Sequence, residues 1–460
     1  MIDLLLKNAK IFNSDNHFFG DIAISNGKIK TIGKALNIKA KRVIDAAGKI
    51  VIPGGVDIHT HLDMPFMGMV SADDFESGTL ASAFGGTTTI VDFAIQQQDK
   101  SLIDALKIWQ KKALSKAFID YSFHLGITNA SRHNLDQIGL LKRNGVTSVK
   151  IFLAYKNAMM LEDDEIYKVL LECKRSKILP MFHAENGHII EERTEELLRQ
   201  GKGFPKYHAL SRPATVELEA IDRVISIAQL VDIPIYIVHV STLNGAAKIL
   251  DARVKGRTVL FETCPHYLLF TEKKYLDPDE GIKYVMSPPL RKEEDRRGLR
   301  NLLKQELIDV ISTDHCPFYL RTQKKLGLSD FTKVPNGVGG IENRMIIMFN
   351  EIVNKLGGSI EYFVSCTATK PAKIFGLYPR KGTIQVGSDA DIVVLDPGKS
   401  FTISCKRNHE KTDYTIYENY QSKISVAMVI IRGKVKIEDN CLMLAEKEGD
   451  FIKRKSSMVY

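Results

Sequence analysis

The sequence predicts an α/β protein in which a (β/α)8 TIM-like barrel is accompanied by a smaller β-sandwich domain formed from both chain ends. From about residue 53 to residue 375, short apolar strands alternate with helix-compatible stretches, as in a parallel sheet covered on both faces. Eight such strands are present, which is the number that closes a barrel. The two ends of the chain instead carry short alternating segments separated by Gly, Asn and Asp turns.

The N-terminal end, residues 1–52, is predicted to be the first part of the β-sandwich. Asp21-Ile22-Ala23-Ile24 and Arg42-Val43-Ile44-Asp45 have the character of strands, and turn signals lie at Asn26-Gly27 and Ala47-Gly48. Because so few strands cannot bury a core alone, we expect them to pack against strands from the other end of the chain.

The C-terminal end, residues 376–445, is predicted to supply the second part of the β-sandwich. Its main strand candidates are Asp391-Ile392-Val393-Val394-Leu395 and Val426-Ala427-Met428-Val429-Ile430-Ile431. Residues 446–460 are charged and are predicted to form a C-terminal tail. Within this tail the run Lys453-Arg454-Lys455 is expected to be a solvated end.

The eight predicted barrel strands share one feature, which is a polar residue at or beside the C-terminal end. Side chains at these ends line the active site in barrels of this kind. The strands are predicted over residues 55–59, 87–92, 121–124, 148–152, 180–183, 234–239, 258–262 and 308–314.

His59-Thr60-His61 ends the first barrel strand, and residues two apart in a strand point to the same face. An isolated pair of this kind is more often a surface or core feature than a metal site. Here His183, His239 and Asp314, which are also metal-binding residue types, end other strands of the same barrel. Four histidines and an aspartate exceed what one tetrahedral ion with an open position can use, so two divalent ions such as Zn²⁺ are predicted.

Lys150 lies in the fourth strand, beside this predicted metal site. Two cations would repel a protonated ammonium, so the lysine is expected to be neutral or to be converted into an anionic group. A carbamate formed with CO2 would supply a negative bridge with two oxygens. The alternative is a lysine that leaves the site or pairs with an acid.

Composition argues against several classes of protein. The formal charge of +9 comes from 64 basic and 55 acidic residues that are interspersed, so no nucleic-acid partner is expected. The N-terminus lacks the features of a secretory signal, and no apolar stretch is long enough to span a bilayer, so no membrane partner is expected. Six cysteines without CxxC spacing predict reduced thiols in a cytoplasmic protein.

Seven ordered motifs run along the chain from the first barrel strand onwards. They are Gly54-Gly55-Val56-Asp57-Ile58-His59-Thr60-His61-Leu62-Asp63-Met64-Pro65-Phe66, Ser71-Ala72-Asp73-Asp74-Phe75-Glu76-Ser77-Gly78-Thr79, Lys150-Ile151-Phe152-Leu153-Ala154-Tyr155-Lys156-Asn157, Glu262-Thr263-Cys264-Pro265, Met286-Ser287-Pro288-Pro289-Leu290-Arg291, Ser312-Thr313-Asp314-His315-Cys316-Pro317-Phe318 and Pro335-Asn336-Gly337. With these motifs the chain resembles the dihydropyrimidinase and D-hydantoinase family of cyclic amidohydrolases, from the N-terminal strands to at least Asp396.

The resemblance implies a set of site residues and an assembly. Two metal ions, usually zinc, are implied on the positions of His59, His61, Lys150 in carboxylated form, His183, His239 and Asp314, which agrees with the set reached from the strand ends. The resemblance also implies that Tyr155 helps to hold an oxyanion, and that Ser287 and Asn336 contact the substrate ring largely through backbone atoms. The implied assembly is a homotetramer.

The expected reaction is hydrolysis of a small cyclic amide. The substrate would be 5,6-dihydrouracil or a 5-substituted hydantoin, and the product an N-carbamoyl amino acid. Asp314 is expected to take a proton from the attacking hydroxide and pass it to the ring nitrogen, while Tyr155 stabilises the oxyanion. Candidates for a pocket around the ring substituent are Met64, Phe66, Phe152 and Met159.

The alternatives are an allantoinase-like enzyme of the same superfamily and a non-catalytic scaffold of the same fold. A dihydroorotase is disfavoured, because its carboxylate substrate requires a cation at the position where this chain has Asp63. The scaffold is disfavoured because all six ligand positions are filled.

Overall fold

Eight parallel strands form the barrel in the computed structural model, which describes residues 1–459. Their order around the barrel follows their order in the chain. The strands are Gly55–Thr60, Thr87–Ile95, Asp120–Gly126, Ser148–Phe152, Leu179–His183, Ile235–Ile237, Val259–Thr263 and Val310–Ile311. The predicted barrel is confirmed, although its last strand is much shorter than the predicted residues 308–314.

The first and eighth strands meet just beyond their C-terminal ends. The His61 amide donates to the His315 carbonyl at 2.8 Å, and the His315 amide donates to the His59 carbonyl at 3.3 Å. The interior is filled by buried apolar side chains such as Val56 and Met181. The barrel is therefore a packed core whose open, polar end lies at the C-terminal ends of the strands.

Helices follow the strands and cover the outside of the barrel. The longer ones are Phe75–Phe84, Leu102–Ala113, Arg132–Arg143, Asp163–Ser176, Gly187–Arg199, Ala214–Val231, Leu243–Val254 and Glu293–Lys304. The shorter ones are His208–Ser211, Pro265–Leu269, Arg344–Phe349, Ile360–Val364 and Lys370–Ile374. In Ala214–Val231 the buried residues recur mostly every three or four positions, so one face of this helix packs inward.

The smaller domain is built from both chain ends, as predicted, and its strands form one nine-stranded sheet. The N-terminal strands are Ile2–Phe12, His17–Ser25, Lys28–Gly33, Ala40–Asp45 and Ile50–Pro53. The C-terminal strands are Ile392–Asp396, Ser425–Ile431, Lys434–Glu438 and Cys441–Leu442. Ile50–Pro53 pairs antiparallel with Ile392–Asp396 and leads directly into the first barrel strand. Two further two-stranded pairs are Pro65–Phe66 with Met69–Val70, and Phe401–Thr402 with Gln421–Ser422.

The C-terminal tail is not the solvated end that the charged run suggested. The Arg454 side chain is buried against the N-terminal ends of the barrel strands. Its guanidinium donates to Ser122 Oγ at 3.0 Å, to Ser148 Oγ at 2.9 Å and to the Phe123 carbonyl. The expectation for Lys453-Arg454-Lys455 is therefore wrong at Arg454, because the barrel offers acceptors that a run of charges does not reveal.

Two features bear on the environment of the chain. Among residues 1–459, no helix has both the length and the apolar character needed to cross a membrane. The six cysteines are free thiols, and those that are buried are Cys173, Cys264, Cys316 and Cys366.

Candidate active site

The C-terminal ends of the barrel strands bring all nine predicted site residues to one cavity of about 50 Å³. This inner cavity is lined by His59, His61, Lys150, Tyr155, His183, His239, Ser287, Asp314 and Asn336. Its apolar wall contains the side chains that the sequence suggested for a ring substituent, namely Met64, Phe66, Phe152 and Met159. The convergence follows from the parallel barrel, because all strands deliver their last residues to the same end.

His59, His61 and Asp314 hold three ligand-type atoms within 4.8 Å of one another. Oδ1 of Asp314 lies 3.0 Å from Nε2 of His59 and 3.2 Å from Nε2 of His61. Despite this distance, the buried Nε2 of His59 forms no hydrogen bond within the described residues. Burial raises the pKa of Asp314, but the neighbouring histidines outweigh it and hold the value well below its ordinary range, so the carboxylate is ionised.

His183 and His239 form a second pair, in which Nδ1 of His183 lies 3.0 Å from Nε2 of His239. Burial lowers the pKa of both rings, and it lowers that of His61 to about 4. These three imidazoles are therefore neutral near pH 7, which is the form that binds metal ions. Burial also acts to lower the pKa of His59, but its neighbouring carboxylates, Asp314 above all, outweigh this and raise it.

Lys150 points into the inner cavity and is 1% exposed. Its Nζ lies 4.6 Å from the centre of the Phe93 ring and 5.3 Å from that of Phe152. Burial lowers the pKa of Lys150 to about 8, against the opposing effect of Asp314 and Glu262. The neutral amine, which is the form that reacts with CO2, is therefore accessible near neutral pH.

This donor set fits divalent metal ions. It combines neutral imidazoles, an ionised carboxylate and an amine in one buried space, and imidazole and carboxylate are the ligands that Zn²⁺ and similar ions prefer. Nε2 of His59, which lies 3.0 Å from Oδ1 of Asp314 but forms no hydrogen bond with it, is also unusual, because buried polar atoms nearly always have a hydrogen-bond partner. His59, His61 and Asp314 could thus hold a metal ion, because their ligand atoms already lie within 4.8 Å of one another.

Comparison with known proteins decides the family. Residues 50–436 match the amidohydrolase family. The chain belongs to that family.

The relatives of this amidohydrolase span its whole length. A D-hydantoinase from Geobacillus stearothermophilus is 42% identical over 452 residues, which cover 98% of this chain and 96% of the relative. A dihydropyrimidinase from Rattus norvegicus is 39% identical over 98% of this chain and 89% of its own length. The crystal structure of a dihydropyrimidinase from Brevibacillus agri matches with a TM-score of 0.97 at 42% identity, covering 99% of both chains. The resemblance drawn from the sequence motifs is confirmed.

Two carboxylates that the sequence analysis did not assign to the site orient histidines of this amidohydrolase. Glu262 accepts a hydrogen bond from Nδ1 of His59, and Oε2 of Glu185 lies 3.0 Å from Nε2 of His183. A partner on one ring nitrogen determines which nitrogen remains free to face a metal. Glu262 could have been found, because it ends the seventh predicted strand. Glu185 lies two residues beyond His183, on the same face of an extended chain.

The backbone is unusual at three of the predicted site residues. The φ angle is +65° at Tyr155, +37° at His239 and +50° at Asp314. This left-handed region is uncommon for residues other than glycine, and such conformations cluster at functional sites. Sequence patterns gave no sign of them.

Tyr155, Ser287 and Asn336 line the same inner cavity. Asn336 Nδ2 donates to Ser287 Oγ at 2.9 Å, and the Tyr155 ring lies 5.6 Å from the Arg212 guanidinium. Burial raises the pKa of Tyr155 to about 12. The phenol therefore remains a hydrogen-bond donor across the physiological range.

An outer cavity of about 520 Å³ leads to the inner one. The two share Phe66, Ile95, Tyr155, Met159 and Asn336 in their walls. Further residues around the outer cavity include Trp109, His208, Arg212 and Phe331. The outer cavity is large enough to hold an organic group of the size of a ring substituent.

Asp63 was expected to lie beside the substrate, where it would repel the carboxylate of a dihydroorotase substrate, but the structure places it elsewhere. It lines neither cavity, and its carboxylate is 3.8 Å from Nζ of Lys112. Repulsion by Asp63 is thus a wrong reason for disfavouring a carboxylate substrate. The better reason is that the described lining of the inner cavity contains no arginine, and its one lysine is Lys150.

Proposed function

We propose that this amidohydrolase is a dihydropyrimidinase or hydantoinase that opens cyclic amides, such as 5,6-dihydrouracil and 5-substituted hydantoins, to N-carbamoyl amino acids. The observation that carries the proposal is the inner cavity, in which metal-binding side chains and the candidate ring contacts Ser287 and Asn336 face the same space. Full-length relatives that bear the names D-hydantoinase and dihydropyrimidinase support it.

The proposed cofactor is a pair of divalent ions, of which Zn²⁺ fits these donors well. The ions would be held by His59, His61, Lys150 as a carbamate, His183, His239 and Asp314. When bound, they would lower the pKa of a water molecule and polarise an amide carbonyl. Burial of Lys150 and its pKa of about 8 support carbamate formation, because the neutral amine can attack CO2 and release a proton.

Four residues of the chain then carry out the remaining chemistry. The ionised carboxylate of Asp314 accepts a proton from the attacking hydroxide and delivers it to the departing ring nitrogen. The protonated hydroxyl of Tyr155 donates a hydrogen bond to the oxygen on which negative charge develops. Ser287 and Asn336 hold the amide groups of the ring, so that the scissile bond faces the polar end of the inner cavity.

Assembly and location are further parts of the proposal. A homotetramer is the assembly of the family that the chain resembles, and a solution mass four times that of the 51.6-kDa chain would support it. Free thiols, four of which are buried, fit a reducing compartment, so the cytoplasm is the proposed location.

Comparative kinetics test the proposal. We would measure kcat/KM of zinc-loaded protein for dihydrouracil, hydantoin, 5-phenylhydantoin and allantoin, together with the metal content. Turnover of the first three with bound metal supports the proposed function. A clear preference for allantoin would favour an allantoinase, and protein without metal or turnover under zinc-replete conditions would favour a scaffold.

A further inference from the structure

A fully buried lysine, Lys324, lies behind the two segments that carry Ser287 and Asn336. Its side chain is 0% exposed. Nζ donates to the Val285 carbonyl at 2.8 Å and to the Pro335 carbonyl at 3.2 Å. One amine therefore holds the residue two positions before Ser287 and the residue immediately before Asn336.

Direct bonds between the same two segments complete this connection. The Gly337 amide donates to the Val285 carbonyl at 3.1 Å. Asn336 Nδ2 donates to Ser287 Oγ at 2.9 Å. The two segments are 49 residues apart in the chain at this contact. Their relative position thus depends on a few hydrogen bonds. Two of these bonds are donated by Lys324, which belongs to neither segment.

Other buried side chains hold neighbouring carbonyls of the first segment. His208 Nε2 lies 2.8 Å from the Met286 carbonyl, Tyr267 Oη donates to the Pro288 carbonyl at 2.7 Å, and Tyr275 Oη donates to the Tyr284 carbonyl at 3.1 Å. Together with Lys324, these side chains engage the carbonyls of residues 284, 285, 286 and 288. The carbonyl of Ser287 is the one in this stretch that they leave for another partner.

A buried amine is costly to maintain, which argues that the contacts of Lys324 matter. Burial lowers the pKa of Lys324 to about 7, and the neighbouring group that opposes this is the Cys316 thiol. A neutral amine also carries two hydrogens and can make both bonds. Lys324 can therefore donate to the Val285 and Pro335 carbonyls whether its amine is protonated or neutral.

We propose that Lys324 is a positioning residue that sets Ser287 and Asn336 at the separation needed to bind the substrate ring. This inference rests on the proposed function, in which those two residues hold the amide groups. Lys324 is not among the residues that line either cavity, so its loss would weaken ring binding and leave metal binding intact. Misplacing contacts of this kind by about 1 Å can lower kcat/KM by up to about 100-fold.

The test compares Lys324→Met, which removes the donor, with Lys324→Gln, which keeps an amide donor. The matched control is Lys325→Met, because Lys325 is the exposed neighbour. For dihydrouracil we expect Lys324→Met to raise KM about tenfold or more with kcat changed less than about threefold and zinc content unchanged. Lys324→Gln should recover part of the loss, and Lys325→Met should behave as the wild type.

Hydrogen exchange at the Gly337 amide gives a readout that does not require turnover. Exchange should be faster in Lys324→Met than in Lys325→Met, because the Val285 acceptor is no longer held. Wild-type KM and exchange in Lys324→Met would overturn the positioning role. If Lys324→Met does not fold, the same two measurements are made on Lys324→Ala, which also removes the donor, and values equal to those of Lys325→Met overturn the positioning role. If wild-type protein opens no cyclic amide, the proposed function fails, and the exchange comparison still judges the Lys324 contact.

Discussion

Glu262 accepts a hydrogen bond from Nδ1 of His59, while Nε2 on the other side of the same ring lies 3.0 Å from Asp314. The carboxylate of Glu262 also accepts hydrogen bonds from Tyr236 Oη at 2.9 Å and from the His239 amide at 3.2 Å. Glu262 thus places a proton on Nδ1 of His59 and leaves Nε2 free to bind a metal ion.

We predict that Glu262→Gln weakens metal binding about 10- to 100-fold without unfolding the protein. Both carboxylate oxygens of Glu262 accept hydrogen bonds. The glutamine side chain has only one oxygen, so its NH2 group would replace one acceptor and face a hydrogen-bond donor. Zinc affinity, measured by competition with a chelator, checks this. Tyr236→Phe is the matched control, since it removes one donor to Glu262 and spares the bond to His59. Equal zinc affinity in Glu262→Gln and wild type would contradict the orienting role.

We predict that Lys150→Ala abolishes activity through loss of the proposed carbamate. Short carboxylic acids should restore part of it, because a small acid can enter the space that the side chain vacates and supply two oxygens. The measurement is turnover of dihydrouracil with and without added acetate or propionate. The same acids added to wild-type protein serve as the control. Wild-type turnover by Lys150→Ala would refute the role of this lysine.

We predict that Tyr155→Phe lowers kcat about 100-fold and changes KM little, because the hydroxyl acts on charge that develops during the reaction. Since burial raises the pKa of Tyr155 to about 12, the hydroxyl stays protonated, and wild-type activity should show no loss from tyrosine ionisation below about pH 11. The pH profiles of kcat for both proteins check this. Tyr167→Phe, at a position that is 40% exposed, is the control. A kcat for Tyr155→Phe within twofold of wild type would remove Tyr155 from the mechanism.

We predict that Arg454→Met destabilises the protein by about 3 kcal/mol. The change leaves buried acceptors at Ser122, Phe123 and Ser148 without their present donor. Unfolding in urea, followed by circular dichroism, measures the loss. Lys453→Met, at the exposed neighbouring position, should change stability by less than about 0.5 kcal/mol. Similar stabilities for the two variants would show that the tail does not anchor the barrel.

Much of the site could be predicted because its signals are local. His59 and His61 are two apart on a strand, and His183, His239 and Asp314 end other strands of one parallel barrel. The period of a strand and the closure of the barrel are enough to bring such residues together. Glu262 could have been assigned to the site in the same way, because it too ends a predicted barrel strand.

The barrel, the sheet shared by both chain ends and the polar residues of the inner cavity could all be predicted from the amino-acid sequence. These follow from periodicity and residue type, which act over a few neighbouring positions. The contact of Glu262 with His59, the bonds by which Lys324 joins the segments of Ser287 and Asn336, and the burial of Arg454 became visible only in the folded chain. Each of these contacts joins residues far apart in the sequence, so it exists only once packing has brought buried donors and acceptors within hydrogen-bond distance.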